Sequence, residues 1–107
     1  PIKNVYKHKI LITDELKNRI QTLHGGVTAT FVDIAMGLSL LKDMGPDIKI
    51  VTLDLSIRYL APGLKGWIIA EIEIVKKGRS IITLEAKLRD EQEKIIALAS
   101  GTFFRIE

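Results

Sequence analysis

The spacing of hydrophobic residues along this chain predicts five strands. Between Val51 and Tyr59, apolar residues alternate with polar ones, a period of two that predicts a strand with one buried face. Similar alternation follows in two later segments, and polar turns at 76–79 and 90–94 separate the segments from one another. A stretch rich in β-branched residues near the N-terminus adds a further strand. The predicted strands cover residues 5–12, 51–59, 70–74, 82–89 and 95–106.

A helical period replaces this alternation between Gly26 and about Asp43. The Gly45-Pro46 pair ends the predicted helix. One apolar stripe follows the i, i+4, i+7 spacing of a single helix face, and we assign it to the sheet. Its members are Val27, Phe31, Ile34, Leu38 and Leu41. The opposite stripe is apolar too, apart from one acid, and consists of Ala29, Asp33, Met36 and Leu40, with Val32 beside them.

Strands joined mostly by hairpins need a cover for their apolar face, and the chain offers one long helix. We therefore predict an α+β fold over residues 1–107, in which one antiparallel sheet of about five strands wraps a central helix. The helix has apolar residues on both sides, whereas the sheet covers only one. A homodimer with the helix near its interface is the simplest way to cover the other side, and further pairing into a homotetramer stays open.

Composition narrows the class of protein. The 107 residues suit one domain, and the net charge of +3 comes with lysines that alternate with glutamates, as on a solvated sheet face, so we expect no nucleic-acid partner. The chain has no cysteine, which excludes disulfides, thiolate metal sites and a cysteine nucleophile. There is no hydrophobic leader at 1–4, and no apolar stretch reaches the roughly 20 residues that span a bilayer. We therefore expect a cytoplasmic protein without a membrane partner.

A lone acid marks the helix as a candidate for chemistry. Asp33 is the only charged residue between Val27 and Leu41, and burying an unpaired carboxylate costs several kcal/mol. Directly upstream, Gly25 and Gly26 stand at the start of the helix, where main-chain N–H groups lack intrahelical partners and the dipole attracts anions. Glycine there leaves room for a developing oxyanion to approach a fixed donor.

The acid and the helix start cannot meet within one chain. Asp33 lies eight residues beyond Gly25, which corresponds to about 12 Å along a helix axis. If both act on one carbonyl group, the acid must come from a second copy of the chain.

Two motifs carry a family resemblance that extends over residues 5–106: Asn18-x5-His24-Gly25-Gly26-x6-Asp33 and the segment from Val51 to Pro62. Together with the turn at 77–79, they make the chain similar to hotdog-fold acyl-CoA thioesterases, of the branch that includes the phenylacetate-degradation and small mammalian enzymes. The resemblance implies a hydrolase that cleaves a thioester into a free acid and coenzyme A. Coenzyme A would be part of the substrate, and no metal or redox cofactor is implied.

The resemblance also implies roles for the matched residues. Asp33 would be the general base or the nucleophile, and the Gly25 amide would polarise the thioester carbonyl. His24 and Asn18 would shape and support the loop before the helix, while Thr52 would hold the attacking water beside Asp33. The helix start would come from one subunit, and the acid with its threonine from the other.

Substrate binding is implied for the helix start and for basic surface residues. Gly26 would lie against the substrate beside Gly25, and pantetheine would enter through a channel at the subunit interface. The phosphates of coenzyme A would lie near Arg58, Lys65, Lys77, Gly78 and Arg79. An apolar acyl pocket, which would suit aliphatic and aromatic acids alike, is indicated by Leu23, Met36 and Leu40.

Plainer explanations compete at several positions. Asp33 could be a structural acid bonded to Thr30 or across the interface, Asn18 could cap a turn, and His24 could be an ordinary loop histidine. The family commonly has glycine three residues before the histidine, where this chain has Gln21. A hotdog domain that binds an acyl thioester without cleaving it would keep the channel and not need the acid. A hydratase or dehydratase is disfavoured because its histidine-plus-acid arrangement is missing.

Overall fold

An antiparallel five-stranded sheet packs around one long helix, as predicted. The computed structural model describes residues 4–106, so the expectation about a leader falls largely on residues outside this range. The elements follow one another in this order: β1 (Val5–Ile12), a 3₁₀ turn (Asp14–Leu16), α1 (Gly25–Met44), β2 (Lys49–Tyr59), β3 (Gly66–Lys77), β4 (Ile81–Arg89) and β5 (Ile95–Ile106).

The strand order is β1-β3-β4-β5-β2, which leaves β1 and β2 at the two edges of the sheet. All neighbouring strands are antiparallel, and β3, β4 and β5 follow one another as hairpins. β1 and β5 have the predicted bounds. β3 begins at Gly66 rather than near Ala70, because its first residues pair with the end of β1.

The helix packs on the sheet through the stripe opposite to the predicted one. Ile34 is 56% exposed and Leu38 is 44% exposed, so the assignment of their stripe to the sheet was wrong. An almost uniformly apolar helix has no polar face from which its orientation can be predicted. The sheet decides the orientation, because a Cβ at Gly101 of β5 would lie 2.6 Å from Met36 Sδ, and glycine leaves that space to the methionine. The enclosed residues of α1, at most 1% exposed, are Val32, Ala35, Met36, Ser39 and Leu40.

A bulge in β2 turns one polar side chain toward the helix. Thr52 and Asp54 pair with successive residues of β5, so Leu53 is an extra residue in the strand. Because of this insertion, Thr52 faces α1, while Val51 and Leu53 are 45% and 55% exposed. The predicted burial of Val51 and Leu53 was therefore wrong, since a strict period of two does not allow for a bulge.

By length and composition, α1 is also long and apolar enough to cross a membrane, which corrects the expectation that no stretch of the chain reaches that size. Only 33% of the apolar stretch of this helix is buried within the chain. The enclosed stripe against the sheet identifies α1 as the core helix of the fold. A core helix can be as long and as apolar as a helix that crosses a membrane. The apolar surface around Ile34 and Leu38 stays open in a single chain.

Candidate active site

Asp33 lies on the side of α1 that faces β2 and accepts a hydrogen bond from Thr52. The Thr52 hydroxyl donates to Asp33 Oδ1 over 2.7 Å. Asp33 is half-buried and Thr52 is exposed, so the carboxylate can be reached from solvent. Within residues 4–106, Asp33 Oδ2 has no hydrogen-bond partner. One carboxylate oxygen is therefore held in place, and the other is available to a ligand or water.

Thr30 does not form a hydrogen bond with Asp33. Its hydroxyl donates instead to the Gly26 carbonyl, one turn earlier in the helix, over 2.9 Å. The alternative in which Thr30 pairs with Asp33 is therefore wrong. Thr52 is the residue that the family resemblance placed beside Asp33, and the two side chains do meet. The role of Thr52 in holding a water stays a prediction.

The start of α1 presents two backbone donors. The His24 carbonyl accepts hydrogen bonds from the N–H groups of Val27 and Thr28, both at 3.1 Å. The N–H groups of Gly25 and Gly26 have no acceptor in the part of the chain that the structure describes, and both glycines are exposed. Because unpaired donors and the helix dipole coincide here, this end of α1 can hold a negatively charged oxygen.

His24 supports the helix start through its backbone. Its N–H donates to the Leu16 carbonyl over 3.0 Å, which ties the residue just before the helix to the 3₁₀ turn. The imidazole is exposed and forms no capping hydrogen bond with any described residue. These contacts agree with the supporting role implied for His24, which stays a prediction.

Asn18 organises the loop before the helix. Its side chain accepts hydrogen bonds from the N–H groups of Ile20 and Thr22, both at 3.1 Å, and donates to the Thr22 hydroxyl over 2.7 Å. This is the turn-capping arrangement that the sequence left open. Within the loop, Gln21 has a φ of +66°, a left-handed conformation that glycine adopts without steric cost. The position where the family commonly has glycine therefore keeps a glycine-type backbone in this chain.

Tyr59 was not predicted as a site residue, yet it packs against the helix start. Its hydroxyl donates to the Gly25 carbonyl over 2.6 Å. Both residues line a cavity of about 380 Å³, together with Leu23, Thr28 and residues 60–63. The alternation in β2 predicted a buried tyrosine, but Tyr59 is 54% exposed. The one sequence signal that could have identified it is its place within the family segment 51–62.

The predicted acyl pocket is corrected in two of its three residues. Leu23 lines the cavity beside Gly25. Met36 and Leu40 are fully buried between helix and sheet, so they do not line a pocket. A second cavity of about 370 Å³ lies next to Gly26, and its lining is almost wholly apolar. Its residues are Ile10, Leu16, Gly26, Val27, Thr30, Phe31 and Ile34.

The residues expected near the phosphates of coenzyme A lie at two ends of the sheet. The end that holds the start of α1 carries Arg58 and Lys65. The opposite end carries Lys77, Gly78 and Arg79. Lys77 Nζ already forms an ion pair with Asp43 Oδ2 at 2.9 Å. A single chain therefore does not bring these five residues together, and their role stays a prediction.

Residues 20–97 match the family described as the thioesterase superfamily. The match includes the helix start, Asp33 and Thr52, while Asn18 lies just before it. The chain belongs to the thioesterase superfamily. The resemblance to hotdog-fold thioesterases is thereby confirmed, and so is the predicted fold class.

Several known proteins resemble the chain over most of its length. It is 31% identical over 95 residues to acyl-coenzyme A thioesterase 13 of Homo sapiens, a match that covers 85% of the chain and 66% of that protein. A Bacillus halodurans protein, crystallised with CoA, has a TM-score of 0.88 and 31% identity, and the match covers 94% of this chain and 66% of that one. The E. coli PaaI protein from the phenylacetic acid degradation operon has a TM-score of 0.88 at 22% identity, over 96% and 73% of the two chains, which shows the shared fold.

The chain covers only part of the length of most of the curated relatives that it matches. It spans 58% to 66% of the length of most of the curated relatives that it matches. This coverage is enough to show the superfamily and the fold. It does not extend to the activity of the whole protein, which is a proposal.

Proposed function

We propose that this member of the thioesterase superfamily is an acyl-CoA thioesterase, which hydrolyses a thioester to a free acid and coenzyme A. The observation that carries the proposal is the half-buried Asp33 carboxylate, which Thr52 holds by one oxygen over 2.7 Å. Binding alone does not require a reachable carboxylate on an apolar helix. The name of the human relative and the CoA in the Bacillus halodurans crystal structure support the same substrate class.

Hydrolysis needs a donor for the carbonyl oxygen and a base for the water. In the proposed reaction, the Gly25 N–H donates a hydrogen bond to the thioester carbonyl oxygen and stabilises the charge that develops there. One such donor contributes roughly 3 kcal/mol. Asp33 Oδ2 takes a proton from water while the water oxygen bonds to the carbonyl carbon. The C–S bond then breaks, and the coenzyme A thiolate takes up a proton. Thr52 holds Oδ1 and so sets the direction of Oδ2.

Asp33 can also act as the nucleophile in this scheme. Its oxygen would then bond to the carbonyl carbon, the thiolate would leave, and water would cleave the resulting anhydride. Attack of water on the aspartyl carbon leaves a water oxygen in Asp33. Finding ¹⁸O in Asp33 after a single turnover in H₂¹⁸O therefore identifies the anhydride route.

In the proposal, a second copy of the chain completes each reactive centre. Gly25 and Asp33 lie on the same helix, about 12 Å apart along its axis. β2 is an edge strand with Val51 and Leu53 exposed, and such edges pair readily with a further strand. Pairing of two β2 strands about a twofold axis would bring the Asp33 side of one helix toward the start of the other.

The test of the proposal compares Asp33→Asn with Asp54→Asn. Asp54 is exposed on β2 and, because of the bulge, faces away from α1. The wild type should release free thiol from at least one member of a panel of aliphatic and aromatic acyl-CoA thioesters. We expect Asp33→Asn to lower kcat by at least about 100-fold, since general-base catalysis contributes that much. Asp54→Asn should retain the wild-type kcat.

Two results would contradict the proposal. An unchanged kcat in Asp33→Asn would remove this acid from the mechanism. Calorimetric binding of acyl-CoA without release of thiol by the wild type would indicate a binding domain instead. Sedimentation of each variant establishes that a loss of activity is not a loss of assembly.

A further inference from the structure

We infer that Tyr59 is a positioning residue for the helix-start donors, and that it makes the Gly26 N–H a second donor to the substrate carbonyl oxygen. The inference rests on the proposed thioester hydrolysis. Its starting observation is the short hydrogen bond of 2.6 Å from the Tyr59 hydroxyl to the Gly25 carbonyl oxygen. This contact joins the end of β2 to the first residue of α1.

The Gly25 carbonyl and the Gly26 N–H belong to one peptide group. A hydrogen bond to the carbonyl polarises that group, so its N–H becomes a stronger donor. The preceding peptide group consists of the His24 carbonyl and the Gly25 N–H. Its carbonyl is engaged as well, because it accepts hydrogen bonds from two N–H groups at 3.1 Å. The two N–H groups that have no acceptor among residues 4–106 thus both lie on peptide groups whose carbonyls are engaged.

The side chain of Tyr59 lies within ordinary van der Waals distance of position 25. A Cβ there would lie 3.4 Å from Tyr59 Oη and 3.5 Å from the ring carbon Cζ. A Cβ at Gly26 would meet nothing within 4 Å among the described residues. The ring therefore lies against the backbone of Gly25, while the space beside Gly26 stays open for a substrate.

β2 contacts α1 at both halves of the proposed site. Tyr59 touches the donors at the helix start, and Thr52, seven residues earlier on the same strand, touches Asp33. One strand therefore positions the carbonyl donors and the acid. A shift of β2 along the helix would disturb both at once.

The first experiment is Tyr59→Phe, which keeps the ring and removes the hydroxyl. A complete donor of this kind contributes about 10² to 10³ in kcat, and a bond in series strengthens the next by about 10–30%. We therefore expect kcat to fall about two- to eightfold, with KM unchanged. Tyr6→Phe is the matched control, because it removes a hydroxyl that donates to Asp43 at the other end of α1. It should retain the wild-type kcat.

A second variant separates positioning from mere packing. With 3-fluorotyrosine at position 59, the phenol is more acidic and donates more strongly, so kcat should rise above the wild-type value when assayed below pH 7. A hydroxyl that only stabilises the fold would give no increase. Equal kcat in the wild type and Tyr59→Phe, or a change confined to KM, would overturn the inference.

NMR distinguishes this inference from the proposed function. The ¹⁵N resonance of Gly26 should move in Tyr59→Phe and stay in place in Tyr6→Phe. The Gly26 nitrogen senses the hydrogen bond to the Gly25 carbonyl, because both belong to one peptide group. A Gly26 resonance that does not move in an active protein overturns the role of Tyr59 alone. A wild type that hydrolyses no acyl-CoA thioester overturns the proposed function, and the catalytic role of Tyr59 with it, even if the resonance moves.

Discussion

Gln21 adopts a backbone conformation that suits glycine. Its φ is +66°, and the left-handed region costs an ordinary residue roughly 1–2 kcal/mol. The loop imposes this conformation, because the Asn18 side chain binds the N–H groups of Ile20 and Thr22 on either side. The chain therefore carries a small backbone strain just before the helix-start donors.

Gln21→Gly should raise the free energy of unfolding by about 0.5–1 kcal/mol, since the strain that is removed exceeds the additional entropy of glycine in the unfolded chain. Urea unfolding measures the change. Gln21→Ala shortens the side chain and retains the Cβ, so it should give no gain. Equal stabilisation by both variants would attribute the effect to the side chain rather than to φ.

Asp33 and Thr52 differ in how far sequence could identify them. Asp33 stands out because it is the only charged residue between Val27 and Leu41. Thr52 has no such signal, since threonine is common on strands and regular alternation would turn it away from the helix. The extra residue Leu53 is what brings Thr52 to Asp33, and composition does not mark it. Only the family resemblance could have paired the two residues in advance.

At the level of elements, bulges direct polar side chains toward the helix in two strands. In β2, the insertion of Leu53 turns Thr52 to α1. In β3, the register shifts after Ile74, and Lys77 then reaches Asp43 on α1. The positions of helix and strands were predictable because their periods differ. The orientation of the helix was not, because an apolar stripe on each side leaves the choice to the sheet that it meets.

The C-terminal end of α1 is anchored by Asp43, whose side chain is 8% exposed. It accepts hydrogen bonds from the Tyr6 hydroxyl and from Lys77 Nζ, both at 2.9 Å. The bond from Lys77 lowers the pKa of Asp43 below its ordinary 3.8, and this effect exceeds the opposing effect of burial. The anchor therefore depends on an ionised carboxylate.

Lys77→Met should make folding less sensitive to acid. Because the pKa of Asp43 is lower in the folded protein, the unfolded chain takes up the proton first, so the stabilisation is complete above about pH 5 and is lost as the pH falls through the folded pKa. Without Lys77, this pKa moves back up. We expect a lower Tm at pH 7 and a shallower fall of Tm toward pH 3. Lys76→Met, an exposed neighbour, should keep the wild-type slope. The same slope in Lys77→Met would show that the ion pair does not contribute.

At the scale of the whole molecule, a single chain leaves apolar surface uncovered beside the candidate site. Ile34 follows Asp33 on the helix, and Leu53 follows Thr52 on the edge strand. Ile34 is 56% and Leu53 is 55% exposed. Exposed apolar patches of this kind often mark interfaces between proteins. This surface supports the homodimer of the proposal.

A variant at the helix start can remove one donor with little other change. Gly25 is the first residue of α1, where proline is well tolerated, and the ψ of +135° at His24 suits a residue before proline. Gly25→Pro therefore deletes the N–H that is proposed to hold the carbonyl oxygen. Gly25→Ala adds a Cβ and keeps the N–H, which makes it the matched control.

Mixing two inactive variants tests whether the site is shared between chains. Gly25→Pro lacks the donor and Asp33→Asn lacks the acid, so each homodimer should be nearly inactive. When the two are unfolded together and refolded in equal amounts, half of the dimers are mixed. In each mixed dimer, one site combines the intact Gly25 of one chain with the intact Asp33 of the other. The mixture should therefore recover about a quarter of the wild-type kcat. If donor and acid acted from the same chain, every site would keep one defect, and mixing would recover nothing.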